Sequence, residues 1–183
     1  MKKIRYDLTN NTDYSSTLKL KDLCDINKGK QLNKDNMINN GKYYVLNGGR
    51  EPSGFTNSWN VNKNTITISE GGYCGHVVFN TTKFFCGGHC YYLKQKSSEF
   101  NYKYLYHYLK STESKIMKLG VGSGIKNIQK KDAEHIPIIL PSINKQNQLT
   151  LFFDNFELKI SNYRKNLELM KFFKKSLLQK MFI

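Results

Sequence analysis

The 183-residue chain carries 29 Lys+Arg against 14 Asp+Glu, a formal net charge of +15, and its 39% hydrophobic residues include 11 Phe and 12 Tyr. The length suits one domain, or one domain with an appendage, and the aromatic content excludes wholesale disorder. No apolar run approaches the ~18–20 residues that span a bilayer, and Met1 to Ser16 has basic residues but no apolar signal stretch, which points to a cytoplasmic protein without a membrane segment.

Residues 1–17 carry little pattern and read as an N-terminal arm. Residues 18–143 are rich in turn residues and short apolar or alternating runs. Strands are expected at Leu18–Ile26, Tyr43–Leu46, Thr65–Ser69, His76–Asn80, Phe84–Phe85 and His89–Lys94. These runs are enriched in β-branched and aromatic types and separated by loops such as Asn47-Gly48-Gly49 and Glu70-Gly71-Gly72. In Asn101–Ser111, Tyr104, Leu105, Tyr108 and Leu109 recur at helical spacing. A further glycine loop, Gly120-Val121-Gly122-Ser123-Gly124, precedes a short stretch ending before Ile136-Pro137. The mixture predicts an α+β domain of short strands and long loops with a helix.

Residues 144–183 are different. Ser142 can cap a helix, and from residue 143 to the last residue the chain has no Gly or Pro. Apolar residues fall at Leu149, Phe153, Phe156, Ile160, Tyr163, Leu167, Met170, Leu177 and Met181, with Lys174 filling the one vacant position. Steps alternating between three and four keep one stripe facing a partner, the pattern of a coiled coil. A helix of ~40 residues is ~60 Å long, more than a domain of this size can cover. The spacing therefore favours pairing with another helix over folding back on the domain.

Cys24, Cys74, Cys86 and Cys90 raise a zinc reading through Cys74-Gly-His76 and Cys86-Gly-Gly-His89-Cys90. There is no CxxC pair, and adjacent His89 and Cys90 would point to opposite faces of a strand. Free buried thiols are the expectation, with no metal and no cofactor. The positive charge is spread out, with 10 basic and 5 acidic residues in 1–50, 11 and 6 in 51–143, and 8 and 3 in 144–183. Such a balance attracts phosphates once a folded surface gathers it, although a Lys/Asn-rich composition alone would also produce it.

A set of motifs in a fixed order then stands out. Leu20-Lys-Asp-Leu23-Cys-Asp-Ile26-Asn-Lys-Gly29 opens it, followed by Tyr44-Val45-Leu46-Asn47-Gly48-Gly49 and Gly54-Phe55. Thr65-Ile-Thr-Ile68-Ser69 leads into Gly71-Gly72 and Gly75; Phe84-Phe85, Tyr104-Leu105-Tyr106 and Gly122-Ser123-Gly124-Ile125-Lys126-Asn127-Ile128 come next. Ile136-Pro137-Ile138-Ile139-Leu140-Pro141 and Gln146 close it. In this order the chain resembles the DNA-specificity subunit of type I restriction-modification systems, over about residues 18–183. Two departures are Ser15-Ser16-Thr17 where the family commonly has an aromatic residue just before the first strand, and the Cys/His enrichment of 86–90.

The resemblance implies two recognition domains per subunit, each followed by a long helix, the two helices pairing antiparallel. This chain has one of each, as expected of a half-length member that homodimerises or of a fragment. It further implies double-stranded DNA as ligand, and methyltransferase and restriction subunits as partners that carry all the catalysis. Candidate DNA contacts lie on the loops and their flanks: Lys28, Lys30, Asn47, Arg50, Ser69, Tyr73, His76, His89, Ser123, Lys126 and Asn127. Arg50 is one of only three arginines, with Arg5 and Arg164, and Arg is the residue best suited to guanine. Glycine loops let backbone N–H groups approach a phosphate closely. No nucleotide fingerprint, P-loop, HExxH or triad spacing appears, so no catalytic residue is expected. Two other classes stay open on the residues alone. One is a metal-dependent nuclease using His76, His89 and the cysteines; the other is a coiled-coil scaffold with incidental charge.

Overall fold

The computed structural model describes residues 16–182. Its elements are β1 (Ser16–Lys19), α1 (Leu20–Leu23), β2 (Cys24–Lys28), β3 (Tyr43–Leu46), β4 (Gly54–Thr56), β5 (Thr65–Ser69), β6 (Val77–Asn80), β7 (Phe85–Cys86) and β8 (Cys90–Gln95), then α2 (Tyr102–Ser111), α3 (Glu113–Met117), α4 (Lys130–Glu134), β9 (Pro137–Leu140) and α5 (Ile143–Met181). This is a mixed α+β architecture ending in one long helix.

An antiparallel sheet in the order β2-β8-β5-β6 forms the centre. Thr65-Ile-Thr-Ile-Ser suits its inner strand β5, since Ile66, Thr67, Ile68 and Ser69 are all buried. Helix α2 contributes Tyr104, Leu105 and Leu109 to the same core, which Leu20, Leu23, Ile116, Ile128, Ile138 and Leu140 complete. The Asn101 side chain starts α2 by accepting from the N–H groups of Lys103 and Tyr104, both at 2.9 Å. A second, three-stranded sheet, β4-β3-β7, encloses a smaller cluster of Leu46, Val61, Phe84, Cys86 and Cys90. Strands β1 and β9 pair antiparallel, so the run into the long helix is tied to Ser16–Lys19.

Several expectations shift. Leu18–Ile26 is not one strand: Leu20–Leu23 is a helical turn between β1 and β2. Asp22 accepts the Lys19 N–H at 2.8 Å, and Leu20 and Leu23, three apart, both reach the core. Ser16 and Thr17 belong to β1 rather than to an arm, and residues 1–15 lie outside the described residues. The strands expected from His76, Phe84 and His89 each begin one residue later. Strands β4 and β9 and the short helices α3 and α4 carry too few residues to show a period.

Ser142 does cap α5, accepting the Lys145 N–H at 3.4 Å. Gln146, fully buried, accepts the Asn101 N–H at 2.9 Å and donates to the Pro141 carbonyl at 2.7 Å. Leu149, expected on the pairing stripe, instead packs half-buried on the core of its own chain. Asp154 meets Lys103 at 2.9 Å and His107 at 2.7 Å, and Tyr106 donates to Glu157 at 3.0 Å. Burial of Asp154 opposes ionisation, but Lys103 and His107 outweigh it and hold its carboxyl below the usual range. Beyond these turns α5 leaves the body almost wholly exposed. Among the described residues, no helix is long and apolar enough to cross a membrane.

Candidate nucleic-acid interface

Strands β2 and β5 end, and β6 and β8 begin, on the same side of the central sheet. Loops 47–50, 70–76 and 87–89 meet there, with 120–127 against them. The Tyr73 N–H donates to the Gly48 carbonyl at 2.7 Å, Glu70 N–H to His89 at 2.9 Å, and Gly87 N–H to Leu46 at 2.7 Å. The Ile128 N–H reaches the Glu70 carbonyl at 2.9 Å, and the Asn47 amide oxygen accepts the His89 N–H at 3.1 Å. Gly48 and Gly72 make this crossing possible. Their φ values are +86° and +66°, and a Cβ on Gly72 would stand 2.9 Å from the Gly48 carbonyl oxygen.

Around this junction the sequence candidates gather. Lys28 is exposed and pairs with Glu70 at 2.7 Å, the same carboxylate oxygen that accepts the Tyr91 hydroxyl at 2.9 Å. Burial, and then Glu70, push the Tyr91 hydroxyl up. Lys30 is exposed and bridges to Gly87; His89 is exposed on the neighbouring turn. The Arg50 guanidinium lies over the Tyr73 ring, 3.9 Å from its centre, and also bonds the Tyr73 hydroxyl. The Asn127 amide presses on Gly71, where there is no Cβ to obstruct it. Ser123 and Lys126 are exposed on a loop closed by a two-way backbone pair between Val121 and Asn127, 3.0 and 2.9 Å.

Two candidates sit differently. Ser69 is 4% exposed, at the buried end of β5, so it is part of the wall under the loops and not a contact. His76 is half-buried and its Nδ1 donates to Glu113 at 2.7 Å. Burial would raise the Glu113 carboxyl, but Lys110, the Val77 N–H and His76 together hold it below the usual range. Glu113 and Glu70 are the residues that sequence reasoning passed over. Glu113 stands 37 positions from His76 and left no signal, whereas Glu70 directly precedes a glycine pair that drew attention only to itself. Trp59, exposed with the Lys83 ammonium 4.0 Å from its ring centre, is another basic-aromatic pair that no motif announced.

The cysteines and histidines of the nuclease alternative do not assemble. All four thiols are free and buried; burial raises the Cys74 thiol and pushes Cys24 up to about 12, while the contact with Cys90, and then burial, raises Cys86. Among the described residues the one grouping of ligand-type side chains is His107, Asp154 and Glu157, on α2 and α5, whose atoms are engaged with Lys103 and Tyr106.

Comparison with known proteins agrees with the resemblance. The profile of the type I restriction modification DNA specificity domain matches residues 13–171. A Mycoplasma pneumoniae chain assigned as type I specificity subunit S.MpnORF638P is 37% identical over 86% of this chain and 43% of its own length. The specificity subunit of the type I restriction enzyme MjaVIII from Methanocaldococcus jannaschii is 30% identical over 67% and 29%. The crystal structure of a type I restriction-modification S subunit from M. genitalium superposes with a TM-score of 0.79 at 33% identity, over 84% of this chain and 41% of that one. The chain thus spans less than half the length of these relatives. The chain belongs to the type I restriction-modification DNA specificity family.

Proposed function

We propose that this chain reads one half of a two-part double-stranded DNA target, as a non-catalytic recognition subunit in the cytoplasm. It acts as a homodimer joined through α5 and docks methyltransferase and restriction subunits, which perform the chemistry. The observation that carries the reading is the convergence of Lys28, Lys30, Asn47, Arg50, Tyr73, His89 and Asn127 on one end of the sheet, with Ser123 and Lys126 beside them. These are the residue types that DNA recognition needs. Lysines, a hydroxyl and loop N–H groups hold phosphates and set the register. Arg50 suits the O6/N7 edge of guanine, and Asn47 or Asn127 the N6/N7 edge of adenine.

The homodimer is supported by the stripe on α5. Phe153, Phe156, Ile160, Tyr163, Leu167, Met170, Leu177 and Met181 are 42% to 73% exposed in one copy, more apolar surface than a monomer keeps in water. Leu151, Leu158, Leu169 and Phe172 are also exposed, and at ~100° per residue they lie on the opposite side of the helix. The first stripe serves the second copy and the second stripe is left for the methyltransferase subunit.

Fluorescence anisotropy on labelled duplexes across a salt series tests the DNA reading. Binding weakens steeply with salt, and Lys126→Ala lowers the slope of log affinity against log salt by about one for any sequence. An unchanged slope removes Lys126 from the footprint. Absence of binding at low salt, or cleavage of the duplex by this chain alone with a divalent ion, contradicts the reading.

A further inference from the structure

Arg50 is the outer end of a series of side chains that crosses three parts of the fold. Its guanidinium rests on Tyr73, 3.9 Å from the ring centre. Tyr73 meets His76 edge-on, with ring centres 5.3 Å apart and planes at 64°. His76 Nδ1 donates to Glu113 Oε1 at 2.7 Å. That oxygen also accepts the Val77 N–H at 2.8 Å and the Lys110 ammonium at 2.9 Å. Lys110 in turn donates to the Val77 carbonyl at 3.0 Å, so the carboxylate is fixed from both the sheet and the helix.

The inner end is therefore rigid and the outer end exposed. A guanidinium on a free side chain must give up rotamer freedom before it can form two parallel bonds to a base, and ordering it beforehand removes that cost from binding. Stacking on Tyr73 does this only if the ring itself is held. The bond from His76 to Glu113 fixes the imidazole against Tyr73, and no other side-chain hydrogen bond among the described residues involves His76.

We propose that Glu113 is a positioning residue for base recognition: through His76 and Tyr73 it holds the Arg50 guanidinium pointing outward from the loop junction, ready for the O6/N7 edge of a guanine. This rests on the DNA-reading function proposed above. Glu113 touches no DNA itself.

The test measures binding of the full chain to its selected target and to every single-base-pair variant of it. Four proteins are compared with the wild type: Arg50→Ala, Glu113→Ala, Glu113→Gln and His76→Phe. Arg50→Ala lowers discrimination at one G·C pair by roughly 10- to 100-fold. Glu113→Ala lowers it at that same pair by about 5- to 10-fold, with random-duplex binding and its salt slope unchanged. Glu113→Gln, whose amide oxygen still accepts from His76 and Val77, restores it. If Glu113→Ala has no thermal transition, His76→Phe carries the test: it keeps a ring against Tyr73, loses the bond to Glu113, and shows the same single-pair loss. The proposal is overturned if Arg50→Ala blunts one pair while Glu113→Ala, or the folded His76→Phe, leaves it intact or weakens all pairs evenly. It is equally overturned if Arg50→Ala changes no position. Failure of the wild type to bind DNA at all overturns the underlying reading instead.

Discussion

Gly48 and Gly72 face each other where loops 47–50 and 70–76 cross, and both need a left-handed backbone that other residues resist. Gly48 is the more demanding. A Cβ there would run into the Gly71 carbonyl and stand 3.1 Å from that of His89. Gly48→Ala is expected to cost about 2 kcal/mol or more of stability, from conformational strain plus a backbone clash, read by denaturant unfolding. A variant within error of the wild type would mean that the loops can separate without penalty, and that the junction is not one rigid unit. At this scale the sequence was informative about which loops matter, because Asn-Gly-Gly and Glu-Gly-Gly stand out from any surroundings. It was silent about Glu113, whose role depends on a partner far away in the chain, and misleading about Ser69. A serine at a strand end next to a glycine loop looks exposed until the neighbouring strand is known to cover it.

Elements were legible in proportion to their length and regularity. Helix α5 has 39 residues, and its 3-4 spacing and Ser142 cap are both readable from letters alone. Leu20–Leu23 is four residues long, and a strand-like run of Leu and Ile hid a single turn fixed by Asp22. Leu149 shows the limit of periodic reasoning: the stripe continues through it, but the body of the protein reaches it first. The root of α5 depends on Asp154, whose carboxyl is held low despite burial by Lys103 and His107. A depressed carboxylate contributes stability above its unfolded pKa, ~3.9, and the contribution disappears as pH falls through the lower folded value. The melting temperature of Asp154→Asn should therefore trail the wild type near pH 7, with the gap closing below about pH 4 in thermal melts. A gap that does not narrow in acid would assign the effect to packing. Further along, the double variant Ile160→Glu, Leu167→Glu should convert a dimer into a monomer in light scattering, with the melting transition of the sheet and its packed helices retained. A wild type that stays monomeric at high concentration contradicts pairing through α5.

At the scale of the whole molecule, part of the +15 charge is gathered at the loop junction. Lys30, Arg50 and Lys126 project around one end of the sheet, with Lys28 beside them paired to Glu70, while Lys103 and Lys110 are paired with Asp154 and Glu113 away from it. The sequence could count the charges but not separate these two groups. If two copies pair antiparallel along α5, a two-fold axis runs across the helices, and the two loop junctions face opposite strands of one duplex. The target must then be an inverted repeat of one half-site. With Leu149 packed on the body, the seam from Phe153 to Met181 is ~42 Å and limits the gap between halves to ~12 bp at ~3.4 Å per base pair. The most direct test of the central claim is selection from a random duplex library by the full chain, with and without a methyltransferase subunit, followed by sequencing. The account predicts enrichment of a two-part inverted repeat with one fixed gap; enrichment of nothing, or of a single ungapped site unrelated to its own reverse complement, would contradict it.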